Sequence, residues 1–272
     1  MDRSVKTLFE YRDAGYSQSG EEGVLMRIME ILGKDRGLCC EFGAWDGIHL
    51  SNTRRLMERG WRGLMIEANS DRFRDLLKTY PPSSNAVSVC AYVDDADDSL
   101  AKIAARAGIN HRFDLISIDI DGLDFQIFST LDQFPLLPLV ICVEVHTCHR
   151  PDDTAPVPLE IAAQGCGQPL GRFVKRGREM GYRLVSFIGT NAIFVHADAG
   201  HKAELPTVSA VAAAEQNLSL VRESKFGREY LYLCNLGKQQ PHYKFNNPMF
   251  SRRSLGISPL RAARLLMTTR SR

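Results

Sequence analysis

Four short apolar runs in this sequence end in acidic residues, and the residue types that follow them can do chemistry together. Glu41-Phe42-Gly43-Ala44-Trp45-Asp46-Gly47 places a carboxylate two residues before a G-x-x-x-G pair. Glycines at such a turn let the backbone approach a ligand where a Cβ would collide. Glu67 closes the next run, 20 residues past Gly47, where a carboxylate can accept hydrogen bonds from both hydroxyls of an adenosine ribose. The third run leads into Asp119-Ile120-Asp121-Gly122-Leu123-Asp124, and period-two alternation puts Asp119 and Asp121 on one side of the chain. The fourth ends in Glu144-Val145-His146.

The first turn lacks the third glycine of G-x-G-x-x-G, which tightens a turn around a pyrophosphate. A ligand with an adenosyl group and no phosphate fits better, and S-adenosylmethionine is the expected cofactor. Gly43 and Gly47 serving only to turn the chain, with Glu67 a solvated acid, is the structural alternative. Methyl transfer from a sulfonium is an in-line displacement, so holding the acceptor oxygen about 3 Å from the methyl carbon supplies much of the acceleration. A hydroxyl acceptor must also lose its proton to a carboxylate, a histidine or a metal-bound base. Two arrangements remain open. In one, Asp119, Asp121, Glu144 and His146 hold Mg²⁺ or Mn²⁺, hard ions that prefer carboxylate oxygens. In the other no metal binds, and His146 or Asp121 takes the proton directly. The purely structural alternative is a helix cap from one acid and an ion pair of Glu144 with Arg150 or Arg172. His146, Cys148 and His149 with Cys142 and Cys166 lack the paired spacing of a zinc site.

The elements that must carry these residues alternate regularly. Strands are expected at Leu38–Phe42, Gly63–Ile66, Ala86–Val93, Leu115–Ile120 and Leu139–Val145, all short and rich in branched residues. Helical patterns fall at Gly20–Leu32, Ser51–Arg59, Ser70–Tyr80, Asp98–Ala107 and Phe125–Gln133, the first with Ser19 and Glu22 at capping-box spacing. This is a doubly wound α/β sheet of five parallel strands. A proline-rich segment from Thr147 to Pro169 is too long for an ordinary connection and reads as a lid or substrate loop. A helix at Gly171–Met180 precedes a hairpin, Arg183–Ile188 and Ala192–Val195, which closes the sheet. The acids emerge at the carboxyl ends of the strands, where open α/β sheets bind ligands.

The stretches EFGAWDGIHLSNT, GWRGLMIEAN, SIDIDGLDFQIF and YSQSGEEG, in their order along the chain, resemble the FkbM-type methyltransferases over roughly Tyr16 to Val195. The resemblance implies a class I methyltransferase fold and methylation of an oxygen, often on a sugar, glycan or glycosylated natural product. It matches Glu41, Gly43, Gly47 and Glu67 to cofactor positions, and Tyr16, Ser17 and Gln18 to a segment lying across the cofactor. Asp119 is a candidate both for the cofactor and for a metal. A noncatalytic methyltransferase-like module and an NAD-dependent oxidoreductase are the competing readings. The complete set of Glu41, Gly43, Gly47 and Glu67 disfavours the first, and the missing glycine and closing hairpin disfavour the second.

Composition limits what lies beyond the site. At 272 residues and 44% hydrophobic, the chain can bury a large core and is neither disordered nor fibrous. A net charge of +2 gives no general case for nucleic acid. The charge is uneven: the eight basic residues after Glu229 face no acid, and removing them leaves −6 over residues 1–229. Residues 1–200 are expected to form the catalytic domain and 201–272 a C-terminal extension with this basic tail. Ser258-Pro259 opens a short basic amphipathic helix suited to an anionic membrane surface or a subunit contact. The mixed-charge N-terminus and absence of an 18-residue apolar run lead us to expect a cytoplasmic protein, peripheral at most to the inner membrane face. The seven cysteines include no C-x-x-C and read as reduced core residues.

Overall fold

A computed structural model describes residues 7–93, 99–120, 122–133, 137–145, 149–159, 162, 167–200, 202 and 204–223. Seven strands form one sheet: β1 (Leu38–Phe42), β2 (Arg62–Glu67), β3 (Ala86–Cys90), β4 (Leu115–Ile118), β5 (Val140–Glu144), β6 (Tyr182–Ile188) and β7 (Asn191–His196). Their spatial order is β3-β2-β1-β4-β5-β7-β6. The first five are parallel, while β7 runs antiparallel between β5 and β6. The expected fold class, five parallel strands closed by a C-terminal hairpin, is therefore observed: a class I, Rossmann-like α/β sheet.

Alternation along the strands sorts side chains to two apolar layers. Cys40 and Phe42 of β1 face a core with Ile116, Phe128, Phe173 and Phe194, while Cys39 faces another with Leu25, Ile28, Met65 and Val140. Helix α1 (Glu21–Leu32) and the short α2 (Arg54–Glu58) cover the Cys39 face, joined by α3 (Ser70–Thr79) through Leu76. Helices α4 (Leu100–Arg106), α5 (Asp124–Ser129), α6 (Leu170–Glu179) and α7 (Ala210–Glu223) cover the other. On that face Phe128 stacks within 5.3 Å of both Phe173 and Phe194, pinning α5 and α6 to β7.

Several boundaries differ from expectation. Helix α1 starts at Glu21 because Gly20, at φ +92°, occupies its N-cap, and no Ser19–Glu22 capping box forms. The Glu22 N–H is instead accepted by Ser17 Oγ at 3.3 Å. Strand β3 stops at Cys90, and α2 spans only five residues because Ser51, Asn52 and Thr53 are committed to Glu41. The expected domain division at residue 200 is not a boundary of packing, since Leu205 and Ala213 are buried in the two core layers. Among the described residues no helix is long and apolar enough to cross a membrane. The Tyr230–Leu236 stretch, the acids Asp94, Asp95, Asp97 and Asp98, and the basic tail lie outside the described residues.

Candidate functional site at the carboxyl edge of the sheet

The turn after β1 is tight and strained. Gly43 takes φ +67°, and a Cβ there would stand 2.0 Å from the Asp119 carbonyl oxygen. The turn therefore packs closely against the end of β4. Gly47, at φ +74°, faces the Tyr80 ring, where a Cβ would lie 2.4 Å from a ring carbon. Trp45 and Leu50 adopt positive φ without being glycine, at 46° and 58°. Such backbone strain is held only where the surroundings enforce it, and it concentrates at functional sites. Asp46 accepts from the N–H groups of Ile48 and His49 at 2.9 and 2.7 Å, and the Arg72 guanidinium covers the Trp45 ring at 4.3 Å.

Glu41 and Glu67 fix the two ends of this loop. The buried Glu41 carboxylate accepts from Ser51 Oγ, Thr53 Oγ1 and the Asn52 N–H at 2.7, 2.8 and 2.7 Å. Burial pushes its carboxyl above the ordinary glutamate range, and these hydrogen bonds oppose the shift. Asn52 also donates to Ser117 Oγ on β4 at 3.0 Å. Glu67 accepts from the Trp45 N–H at 2.9 Å on one oxygen and from the Asn69 N–H at 2.7 Å on the other. Each carboxylate oxygen carries two acceptor positions, so both acids retain capacity for ligand donors.

The segment Tyr16–Gly20 is strapped to the body by α1 and α2. Glu22 Oε1 accepts from the N–H groups of Gly15 and Tyr16 and pairs with Arg55 at 3.2 Å. The Tyr16 hydroxyl donates to Glu58 at 2.7 Å, while its ring lies 5.8 Å from the Arg54 guanidinium. Ser17 is buried and Gln18 exposed. Glu21, fully buried, accepts from the Ser19 N–H at 2.8 Å and from Asn191 Nδ2 at 3.0 Å. Its burial likewise raises the carboxyl above the ordinary range. The strap therefore touches the tip of the β6–β7 hairpin, where a Cβ on Gly189 would meet Ser19 Oγ at 2.3 Å.

The acceptor-side acids gather at the ends of β4 and β5. Oxygens of Asp119, Asp124 and Glu144 lie within 4.8 Å of one another. Asp121 and His146 lie outside the described residues. Asp124, given no role of its own in the sequence, is buried and accepts from the N–H groups of Ile120 and Gly122 at 2.8 and 2.9 Å. Its signal was present in the D-x-D-x-x-D spacing of residues 119–124. Beneath the cluster, Cys142 is held well above the ordinary thiol range by burial and by the charges of Glu21, Asp119 and Glu41. Arg150 pairs with Asp152, and the Arg172 guanidinium covers the Phe125 ring at 4.6 Å, so no ion pair of either with Glu144 is seen among the described residues. Glu21 and Asn191 were also missed, because only the folded chain brings β7 against α1.

No protein-family model matches the sequence, and no curated protein matches it. Solved structures do resemble the fold. A TehB-like S-adenosylmethionine-dependent methyltransferase from Corynebacterium glutamicum aligns over 67% of this chain and 90% of its own, at 15% identity and a TM-score of 0.40. A methyltransferase of Podospora anserina with S-adenosylhomocysteine bound aligns over 66% and 79%, at 15% identity and a TM-score of 0.44. An O-methyltransferase family protein from Burkholderia thailandensis aligns over 64% and 57%, at 12% identity and a TM-score of 0.42.

Proposed function

We propose that this chain is an S-adenosylmethionine-dependent O-methyltransferase of the FkbM type, acting on a hydroxyl of a sugar, glycan or glycosylated natural product. The observation that carries this reading is the row of carboxylates at one edge of the sheet. Glu67 ends β2, Glu41 lies in the last turn of β1, Asp119 follows β4 and Glu144 ends β5. This edge accepts hydrogen bonds and attracts cations. S-adenosylmethionine brings a sulfonium, an ammonium and two ribose hydroxyls against one carboxylate, whereas a pyrophosphate brings two negative charges that the same acids repel. The donor set therefore fits the cofactor that the sequence suggests.

The cofactor, when bound, supplies an electrophilic methyl group. Glu67 receives the ribose hydroxyls, Glu41 holds the turn in shape through Ser51 to Thr53, and the Tyr16–Gln18 strap covers the reacting centre and excludes water. Asp119 and Glu144 face the acceptor. With Asp124 they present the hard oxygen ligands that Mg²⁺ or Mn²⁺ takes, and such an ion would acidify the acceptor hydroxyl. Asp121 and His146 complete the set of proton acceptors. The test is S-adenosylhomocysteine formation from S-adenosylmethionine with methyl glycosides as acceptors. Turnover is expected with at least one glycoside, and its absence across glycosides and free sugars alike, in protein that binds the cofactor, would overturn the sugar assignment.

A further inference from the structure

The amide of Asn191 points to a contact with the methyl acceptor that the strand-end acids do not make. Asn191 opens β7 and is the direct cross-strand partner of Glu144 on β5. Directly opposed residues of an antiparallel pair project from the same face, with their Cβ atoms close together. The Asn191 side chain therefore stands beside Glu144 at the acid cluster. Only 2% of Asn191 is exposed, and its Nδ2 is committed to Glu21 Oε1. That bond turns the amide so that Nδ2 faces α1 and Oδ1 is left as an acceptor. The other Glu21 oxygen is held by the Ser19 N–H, so the arrangement cannot easily rotate. Among the described residues no donor reaches Asn191 Oδ1, although buried polar atoms rarely go unpaired.

The hairpin tip that carries Asn191 is clamped from a second side. Asn217 of α7 accepts from the Gly189 N–H at 2.8 Å and donates to the Gly189 carbonyl at 2.6 Å, while the Val145 N–H donates to the Thr190 carbonyl at 2.7 Å. The amide is thus held in place before any ligand arrives. Neighbouring strands lie about 4.8 Å apart, so the four steps β2-β1-β4-β5-β7 separate Glu67 from Asn191 by roughly 19 Å. With a cofactor ribose held at Glu67, Asn191 would lie at the opposite end of the row of acids, beyond the β4 and β5 ends.

We infer that Asn191 is a specificity-determining residue whose Oδ1 accepts a hydrogen bond from a hydroxyl of the acceptor, adjacent to the hydroxyl that is methylated. Glu21 is its positioning residue. The acceptor is then a polyol presenting two neighbouring hydroxyls, one to the carboxylates and one to Asn191. This rests on the methyl-transfer reading above and adds to it a requirement on the acceptor. An analogue lacking the second hydroxyl forgoes the hydrogen bond to an acceptor atom that has no other donor, so it is turned over roughly 10- to 100-fold less efficiently.

The experiment begins with calorimetric binding of S-adenosylhomocysteine to the full chain and to Asn191→Leu and Asn191→Ser. Transfer from S-adenosylmethionine is then measured with methyl glycosides of glucose, mannose, galactose, rhamnose and fucose, and the best of them is compared with its monodeoxy analogues. In the wild type, one analogue deoxygenated beside the methylated position should lose kcat/KM on the scale above. In both variants that gap should close while S-adenosylhomocysteine affinity is unchanged, which also reports that they fold. The inference is overturned if no deoxy analogue is penalised in the wild type, if the gap persists in a variant, or if cofactor affinity falls in step with kcat/KM. It is also overturned if the wild type binds S-adenosylhomocysteine and methylates none of the glycosides. A wild type that does not bind S-adenosylhomocysteine fails one step earlier and removes the methyl-transfer reading itself.

Discussion

Gly43 and Asp119 are locked together through backbone, since the space a Gly43 Cβ would fill is already held by the Asp119 carbonyl oxygen at 2.0 Å. The turn after β1 is thereby built onto the end of β4, and the two strand ends share one rigid joint. Gly43→Ala adds left-handed strain of about 1 to 2 kcal/mol and overpacking of about 1 to 3 kcal/mol. Thermal unfolding should show a loss of roughly 2 to 5 kcal/mol by these terms together. A variant as stable as the wild type would show that the turn can move away from Asp119.

Glu41→Gln should be tolerated. Its Oε1 can keep the Asn52 N–H, and its amide can donate to Ser51 and Thr53, whose hydroxyls rotate to accept. A cost below about 1.5 kcal/mol is expected from hydrogen bonding alone. The substitution also changes pH dependence. Burial raises the Glu41 carboxyl above its ordinary 4.5, so the fold binds more protons than the unfolded chain in that window. The stability this contributes is complete below 4.5 and is lost as pH rises through the raised value. Urea unfolding at pH 5 and pH 8 should therefore show a smaller drop for Glu41→Gln than for the wild type. An equal drop would mean that Glu41 is ionised in the fold throughout this range.

Much of the fold was legible because strand-length apolar runs and helical periods alternate without ambiguity from Leu38 to Val145. The hairpin was legible from Gly189-Thr190-Asn191 between two apolar runs. Within the candidate site, the strand-end positions of Glu41, Glu67, Asp119 and Glu144 were legible, since strand-length runs lead into each of them. The site was not legible where a contact joins distant segments. Nothing local announces that Glu21 meets Asn191, 170 positions away. The close neighbour of Gly43 was hidden for the same reason, since it is a carbonyl that follows another strand.

Substitutions in the acid cluster test the proposed metal role one carboxylate at a time. Asp124 already satisfies two backbone donors, so Asp124→Asn should cost about 1 to 3 kcal/mol of stability by leaving one of them unpaired. Asp119→Asn and Glu144→Gln should weaken Mn²⁺ binding, read from the paramagnetic signal of free Mn²⁺. If EDTA treatment leaves turnover intact and no Mn²⁺ binds, the metal role is excluded. A pH-rate limb near the reference histidine value of about 6.5, abolished by His146→Ala, would then assign the base to His146.

Calorimetric titration of the full chain with S-adenosylhomocysteine, run beside NAD, tests the central claim most directly. The row of acids ending β2, β1, β4 and β5 predicts that S-adenosylhomocysteine binds and NAD does not. Glu67→Ala should weaken the binding by about 1.5 to 3 kcal/mol, the scale of hydrogen bonds to a charged group. Absence of S-adenosylhomocysteine binding in folded protein, or preferential binding of NAD, would contradict the account.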